Sequence, residues 1–163
     1  MNQVLLIIAD LLDYPSKWLG REKEILLQDL PDGVKEFIKM ASSYDPLDLE
    51  EEYVSTFDFN SKTTLNMTFY ITGEEKSRAS APRRGYILLK LKELLKNKTE
   101  LPSNELPDYL PSILKVLALD MNKDIANMIK EPMEILISNL SKKNSIFLPI
   151  VRQAYKEIYG EDI

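Results

Sequence analysis

Ile125-Ala-Asn-Met-Ile-Lys-Glu-Pro-Met-Glu-Ile-Leu-Ile-Ser-Asn-Leu140 is a long stretch in which apolar residues recur at helical spacing. Steps of three and four residues place its apolar side chains on one face of an α-helix. Pro132 lies inside the run, where proline is expected to kink the helix or divide it. The stretch therefore predicts helical structure with one buried face.

Helical patterns extend outward from this stretch in both directions. They cover residues 2–13, the segment after Pro31, the segment after Asp45-Pro46, residues 84–95, residues 110–117 and a final segment ending at Gly160. Asp45 and Gly160 suit the N-cap and C-cap of their helices. The first helix is apolar around most of its circumference, so we expect it deep in the core. The prediction is an all-α fold, a single-domain bundle of about seven to nine helices spanning residues 1–163.

Three segments depart from this pattern. Residues 63–71 contain β-branched and aromatic residues that suit a strand, but nothing nearby looks like a pairing partner, so we predict a helix. Residues 74–84 are polar and contain Pro82, which predicts a mobile loop or frayed helix. Residues 97–107, with two prolines, are predicted to be a linker.

Composition excludes several classes of function. The chain has no cysteine and no histidine, so thiolate chemistry, cysteine zinc sites and the commonest general base are absent. Its net charge of −5 argues against nucleic-acid binding and favours basic partners. No apolar run approaches the ~20 residues that span a bilayer, and the apolar residues 4–9 lack the flanks of a signal peptide. We expect a cytoplasmic protein without stable membrane insertion.

Two motifs are candidates for a binding site. In Tyr53-Val-Ser-Thr-Phe57-Asp58, the two aromatic residues share a helical face. One interpretation is a core pair followed by an aspartate that forms a turn. The other is that Asp58 is a carboxylate that receives a partner's arginine or backbone N–H. In Glu105-Leu-Pro107-Asp108-Tyr109-Leu-Pro111, Pro107 requires an extended residue before it. Asp108 then suits either an N-cap or a recognition carboxylate.

Two charged clusters are less informative. Lys76, Arg78, Arg83 and Arg84 are typical of a solvated face, with a phosphate or acidic contact as the alternative. The consecutive acids at 50–52 diverge around a helix, so a hydrated face is favoured over a metal site. The sequence predicts no enzyme and no metal site, although carboxylate or lysine chemistry with Mg²⁺ stays open.

The order of the motifs resembles a known family. Leu11-Leu-Asp-Tyr-Pro15, Tyr53-x-x-Thr-Phe-Asp58, Thr64-Leu65, Gly73, Arg84-Gly85 and the segment 105–111 follow one another as in the delta-subunit assembly chaperones of respiratory nitrate reductase. These are redox-enzyme maturation proteins, related to the chaperones of trimethylamine-N-oxide and dimethyl sulfoxide reductases. The resemblance covers residues 11–119, but the interval between Gly73 and Gly85 is longer here than in that family.

The resemblance implies an all-helical, non-catalytic chaperone without a cofactor of its own, acting as a monomer or dimer. Its partner would be the catalytic subunit of a molybdenum-containing oxidoreductase. The chaperone would bind the N-terminal peptide of that subunit, often of twin-arginine type or a remnant of one, while the molybdopterin cofactor is inserted. The implied peptide-binding residues are Tyr53, Phe57, Asp58, Pro107, Asp108 and Tyr109. The alternative is a generic all-helical protein-interaction adaptor without a reductase client.

Overall fold

The computed structural model describes residues 1–71, 80–96 and 106–163, with the backbone alone described for 80–84. Its α-helices are α1 (Gln3–Leu11), α2 (Glu22–Leu26), α3 (Asp32–Ser42), α4 (Pro46–Tyr53), α5 (Thr68–Ile71), α6 (Ser80–Lys96), α7 (Leu110–Leu119), α8 (Lys123–Lys142) and α9 (Leu148–Tyr159). A 3₁₀ turn covers Pro15–Lys17, and a π-helical turn, Val54–Asp58, continues α4. No strand longer than a single bridge occurs among the described residues. The all-α prediction is confirmed.

Helix α1 is the central element of the core. It packs against α7 and α9, and α9 in turn packs against α3 and α8. Leu5, Ile8 and Leu11 are fully buried, as expected for a helix that is apolar on most sides. The side chain of Asn2 caps the helix by accepting a hydrogen bond from the N–H of Leu5 at 3.0 Å.

Two predicted caps and one predicted boundary are confirmed. Asp45 accepts a hydrogen bond from the N–H of Leu47 at 3.0 Å, with Pro46 as the first helical residue of α4. Gly160 ends α9 in the left-handed conformation at φ 71°. Helix α3 begins directly after Pro31.

Helix α8 runs through Pro132 as one element, so the proline does not divide it. Proline cannot donate to the carbonyl of Met128, one turn earlier. Its ring is buried with the apolar face of the helix, alongside Ile129 and Met133. Packing therefore compensates for the lost hydrogen bond. No helix among the described residues is long and apolar enough to cross a membrane.

The predicted helix over 63–71 is wrong for most of its length. Only Thr68–Ile71 is helical, and Asn66 forms an antiparallel bridge with Tyr109. The N–H of Met67 donates to the carbonyl of Asp108 at 3.0 Å, and the N–H of Leu110 donates to the carbonyl of Leu65 at 2.9 Å. The pairing partner lies some forty residues away, which local pattern could not reveal.

The predicted loop over 74–84 is corrected at its end. Helix α6 starts at Ser80, so residues 80–84 are helical. Pro82 lies in the first turn, where a missing N–H removes no helical hydrogen bond. Residues 74–79 of that loop, and residues 97–105 of the predicted linker, lie outside the described residues.

Candidate functional site

Three motif segments that are far apart in sequence meet around the hydroxyl of Tyr53. This hydroxyl lies 2.7 Å from the carbonyl of Leu12 and 2.7 Å from the hydroxyl of Tyr109. The Tyr109 hydroxyl donates to Oδ1 of Asp13 at 3.1 Å. The turn after α1, the end of α4 and the start of α7 are thereby joined by buried polar contacts.

Two hydroxyl protons serve the three short contacts around Tyr53 and Tyr109. If Tyr53 donates to Tyr109 and Tyr109 donates to Asp13, the chain of bonds ends on a carboxylate, and charge-assisted bonds are the stronger kind. If Tyr109 instead donates to Tyr53, the chain ends on the Leu12 carbonyl. In the first arrangement the Leu12 carbonyl receives no proton from Tyr53, and in the second the Asp13 carboxylate receives none from Tyr109.

Asp13 is a buried carboxylate whose charge is compensated. Both of its oxygens lie 3.2 Å from the Lys17 ammonium, one helical turn away. Oδ1 also accepts the N–H of Tyr14 at 2.9 Å. Buried carboxylates are retained in proteins when they are paired and hydrogen-bonded in this way.

Tyr53 and Phe57 lie in the aromatic part of the core. The ring of Tyr53 is 4.9 Å from that of Phe57, 4.8 Å from that of Tyr14 and 5.8 Å from that of Phe147, centroid to centroid. Burial raises the pKa of Tyr53 well above its ordinary value, so its hydroxyl stays protonated. This is the core pair that the sequence offered as one interpretation. A direct contact of either ring with a peptide stays a prediction.

Asp58, by contrast, is exposed at the end of the π-helical turn. Its Oδ2 accepts a hydrogen bond from the Tyr14 hydroxyl at 2.8 Å. The next residue, Phe59, has 84% of its surface exposed. The turn ends with the N–H of Phe59 donating to the carbonyl of Val54, five residues back, and such single π-turns are frequent at functional sites. An exposed carboxylate held by a hydrogen bond and an exposed aromatic residue are thus consecutive at the end of this turn.

Asp108 is not an N-cap, which corrects one of the two interpretations of that motif. Tyr109 occupies the cap position of α7, and no side chain caps it. Asp108 is fully buried, and its Oδ2 accepts from the N–H and the hydroxyl of Thr68 at 3.1 and 2.5 Å. Its Oδ1 is buried without a hydrogen-bond partner among the described residues. The antiparallel bridge directs the side chain toward Thr68 instead of along α7.

The remaining predicted site residue, Pro107, is half-buried in the turn before Asp108. In the basic cluster, Lys76 and Arg78 lie outside the described residues. Arg83 and Arg84 lie in α6, in the part of that helix where the backbone alone is described. No group of three carboxylates in the described ranges is arranged to hold a metal ion.

Comparison with known proteins places the chain in a family. The chain is 31% identical over 156 residues to the probable nitrate reductase molybdenum cofactor assembly chaperone NarJ of Bacillus subtilis, covering 88% of this chain and 82% of that protein. The chain belongs to the NarJ family. It is also 28% identical over 124 residues to the nitrate reductase molybdenum cofactor assembly chaperone NarJ of Escherichia coli, covering 70% of this chain and 50% of that protein.

A third relative is the nitrate reductase-like protein NarX of Mycobacterium tuberculosis, 31% identical over 113 residues, which cover 66% of this chain and 16% of that protein. No protein-family model matches the chain. Membership of the NarJ family confirms the predicted resemblance and agrees with the expectation of a protein that is not an enzyme.

Three residues that bond the predicted site residues were not predicted from the sequence. Asp13, Tyr14 and Thr68 each bond a predicted site residue. A signal for the first two was available, because the segment 11–15 opened the resemblance, yet it was given no role. Nothing in the local sequence pointed to Thr68, since its partner Asp108 is 40 positions away.

Proposed function

We propose that this chain is a cytoplasmic assembly chaperone for a molybdenum-containing nitrate reductase. It binds the N-terminal peptide of the catalytic subunit and holds that subunit ready for insertion of its molybdenum cofactor. The peptide site comprises Asp58 with the residues predicted around it, Tyr53, Phe57, Pro107, Asp108 and Tyr109. NarJ-family membership supports the class of function.

One observation carries the site assignment. The segments 11–15, 53–58 and 107–109 bond one another beside a surface that exposes Asp58 and Phe59. An exposed carboxylate fixed by a hydrogen bond and followed in the chain by an exposed phenylalanine suits a basic, partly apolar peptide.

Charge around this surface supports a basic ligand. Residues 45–58 contain six carboxylates and no lysine or arginine. Such a cluster attracts cationic peptides over distance and speeds their association, more strongly at low salt. Asp58 is expected to contribute to the bound state, whereas the other exposed acids contribute mainly to the rate of encounter.

Calorimetric titration with a synthetic N-terminal peptide of the nitrate reductase catalytic subunit from the same genome tests this proposal. We expect Asp58→Asn to weaken binding roughly tenfold or more, since it removes the charge from a fixed acceptor. Glu51→Gln is the matched control, because Glu51 is exposed on the same acidic helix, and its dissociation constant should change little. Equal losses from both variants would contradict a localised site.

Buried members of the site need a different readout. Asp108 is fully buried, so Asp108→Ala is expected to lower stability as well as binding. Binding by this variant is therefore informative only at a temperature where it stays folded.

The alternative, a helical adaptor without a reductase client, predicts another result. Pull-down with the wild-type chain from cells expressing the reductase should recover its catalytic subunit, and recovery should fall with Asp58→Asn. Recovery of other proteins without this subunit would favour the adaptor.

A further inference from the structure

Tyr14 is the residue that holds Asp58 in place. Its hydroxyl donates to Oδ2 of Asp58 at 2.8 Å. Its ring packs 4.8 Å from that of Tyr53, and the Lys17 ammonium lies 5.8 Å from its centroid. Its N–H donates to Asp13 at 2.9 Å. The phenol is thus held by backbone and ring contacts, and its hydroxyl has a defined position.

This contact makes the two oxygens of Asp58 inequivalent. Oδ2 carries the Tyr14 hydrogen bond, and no bond to Oδ1 occurs among the described residues. The carboxylate is therefore held in a fixed direction, with both acceptor positions of Oδ1 open and one position of Oδ2 taken by Tyr14. Without Tyr14, an exposed aspartate at this position would rotate between staggered conformers and offer both oxygens.

Arginine and lysine use such a carboxylate differently. A guanidinium gains most when it bonds both oxygens in a parallel pair, which adds strength and geometric specificity. Here it reaches both oxygens only by sharing or replacing the Tyr14 hydroxyl. An ammonium is a compact donor for which one oxygen suffices.

We infer that Tyr14 is a specificity-determining residue of the peptide site: by taking one acceptor position of Oδ2 it weakens the second bond of a bidentate guanidinium, so that Asp58 binds lysine nearly as well as arginine. This inference rests on the proposed function, because it requires a cationic peptide at Asp58.

The test uses two synthetic versions of the catalytic subunit's N-terminal peptide, one with every basic residue as arginine and one with every basic residue as lysine. For the wild-type chain we expect dissociation constants within about threefold of each other. For Tyr14→Phe, which removes only the hydroxyl, the arginine peptide should bind roughly tenfold more tightly than the lysine peptide. Combined with Tyr14→Phe, the substitution Asp58→Asn should abolish this arginine preference.

A second variant guards against loss of folding in Tyr14→Phe. Asp58→Glu moves the carboxylate by one methylene and separates it from Tyr14 without touching that residue, so it too should raise the arginine preference. Unchanged ratios in Tyr14→Phe and Asp58→Glu would overturn the inference while leaving the proposed function intact. Failure of both peptides to bind the wild-type chain would overturn both.

Discussion

Three aspartates of this chain occupy three different environments, and each environment determines what the carboxylate does. Asp13 is buried and paired with Lys17, so it supports structure. Asp58 is exposed and held by one tyrosine, so it is available to a ligand. Asp108 is fully buried and bonded twice by Thr68, so it joins two chain segments. The same side chain thus supports structure, stays open to a ligand or links two segments according to its partners.

Replacement of Asp108 should be costly for stability. Asp108→Ala removes the acceptor of two buried donors on Thr68, and we expect the free energy of unfolding to fall by about 3 kcal/mol. Urea denaturation followed by fluorescence measures this, because Trp18 is the single tryptophan and is fully buried. Glu51→Ala, an exposed acid, should change stability by less than about 0.5 kcal/mol. A loss below about 1 kcal/mol in Asp108→Ala would argue that the Thr68 bonds contribute little net stability.

At the scale of elements, the starts of three helices are specified by local sequence, whereas the C-terminal end of α4 is not. Asn2, Asp45 and Asn122 cap α1, α4 and α8 through side chains that accept an N–H two or three residues ahead. The end of α4 follows no such rule. It widens into a π-helical turn, Val54–Asp58, which ends with Thr56 and Phe57 buried and Asp58 exposed. The position of the candidate ligand contact therefore depends on how α4 ends.

The cap of α4 can be tested with a conservative pair. Asp45→Ala removes the acceptor of the Leu47 N–H, and we expect a loss of about 1 kcal/mol in unfolding free energy. Asp45→Asn keeps a capping oxygen and should lie within a few tenths of a kcal/mol of wild type. Equal losses for the two variants would show that the charge, and not the hydrogen bond, stabilises this end of the helix.

The end of α9 requires a left-handed residue. Gly160 has φ 71°, and a β-carbon there would meet no atom within 4 Å. Gly160→Ala should therefore cost about 1 to 2 kcal/mol through backbone strain alone. Gly33→Ala is the matched control, since Gly33 is in α3 and a β-carbon would only reach ordinary contact with Pro149 at 4.0 Å. Thermal denaturation should lower the melting temperature of the first variant and leave that of the second unchanged or higher.

At the scale of the whole molecule, one helix and a set of buried or half-buried tyrosines hold the bundle together. Helix α1 packs against α7 and α9, so the first and last thirds of the chain share a core. Tyr53, Tyr70, Tyr155 and Tyr159 place their hydroxyls on carbonyl or carboxylate acceptors within it or at its edge. Burial raises the pKa of each, to about 12 for Tyr155, where the hydrogen bond to Glu134 adds to the effect.

Because of these tyrosines, we expect the free energy of unfolding to fall in alkali. A phenol of the unfolded chain ionises near pH 10, whereas the folded phenols retain their protons to higher pH. Above about pH 10 the native state therefore binds more protons than the unfolded state, and the free energy of unfolding falls as pH rises. The tyrosine contribution below that pH is constant.

Urea denaturation between about pH 8 and pH 11 measures this dependence. Tyr70→Phe should show a shallower decline than wild type, because it removes one phenol whose pKa is raised by burial. A decline of the same slope in both proteins would assign the effect to other groups.

The sequence by itself determined most of the helices, the caps at Asp45 and Gly160 and the burial of α1, because each is encoded by residues within a few positions of one another. It also brought the motifs 11–15, 53–58 and 105–111 together as a family pattern, without their geometry. Only the tertiary structure decided that Asn66 pairs with Tyr109, that Asp108 bonds Thr68 and that Tyr14 holds Asp58. The two residues of each pair are 40 or more positions apart in the sequence. Helical periodicity carries no information about which distant residue the path of the chain brings alongside.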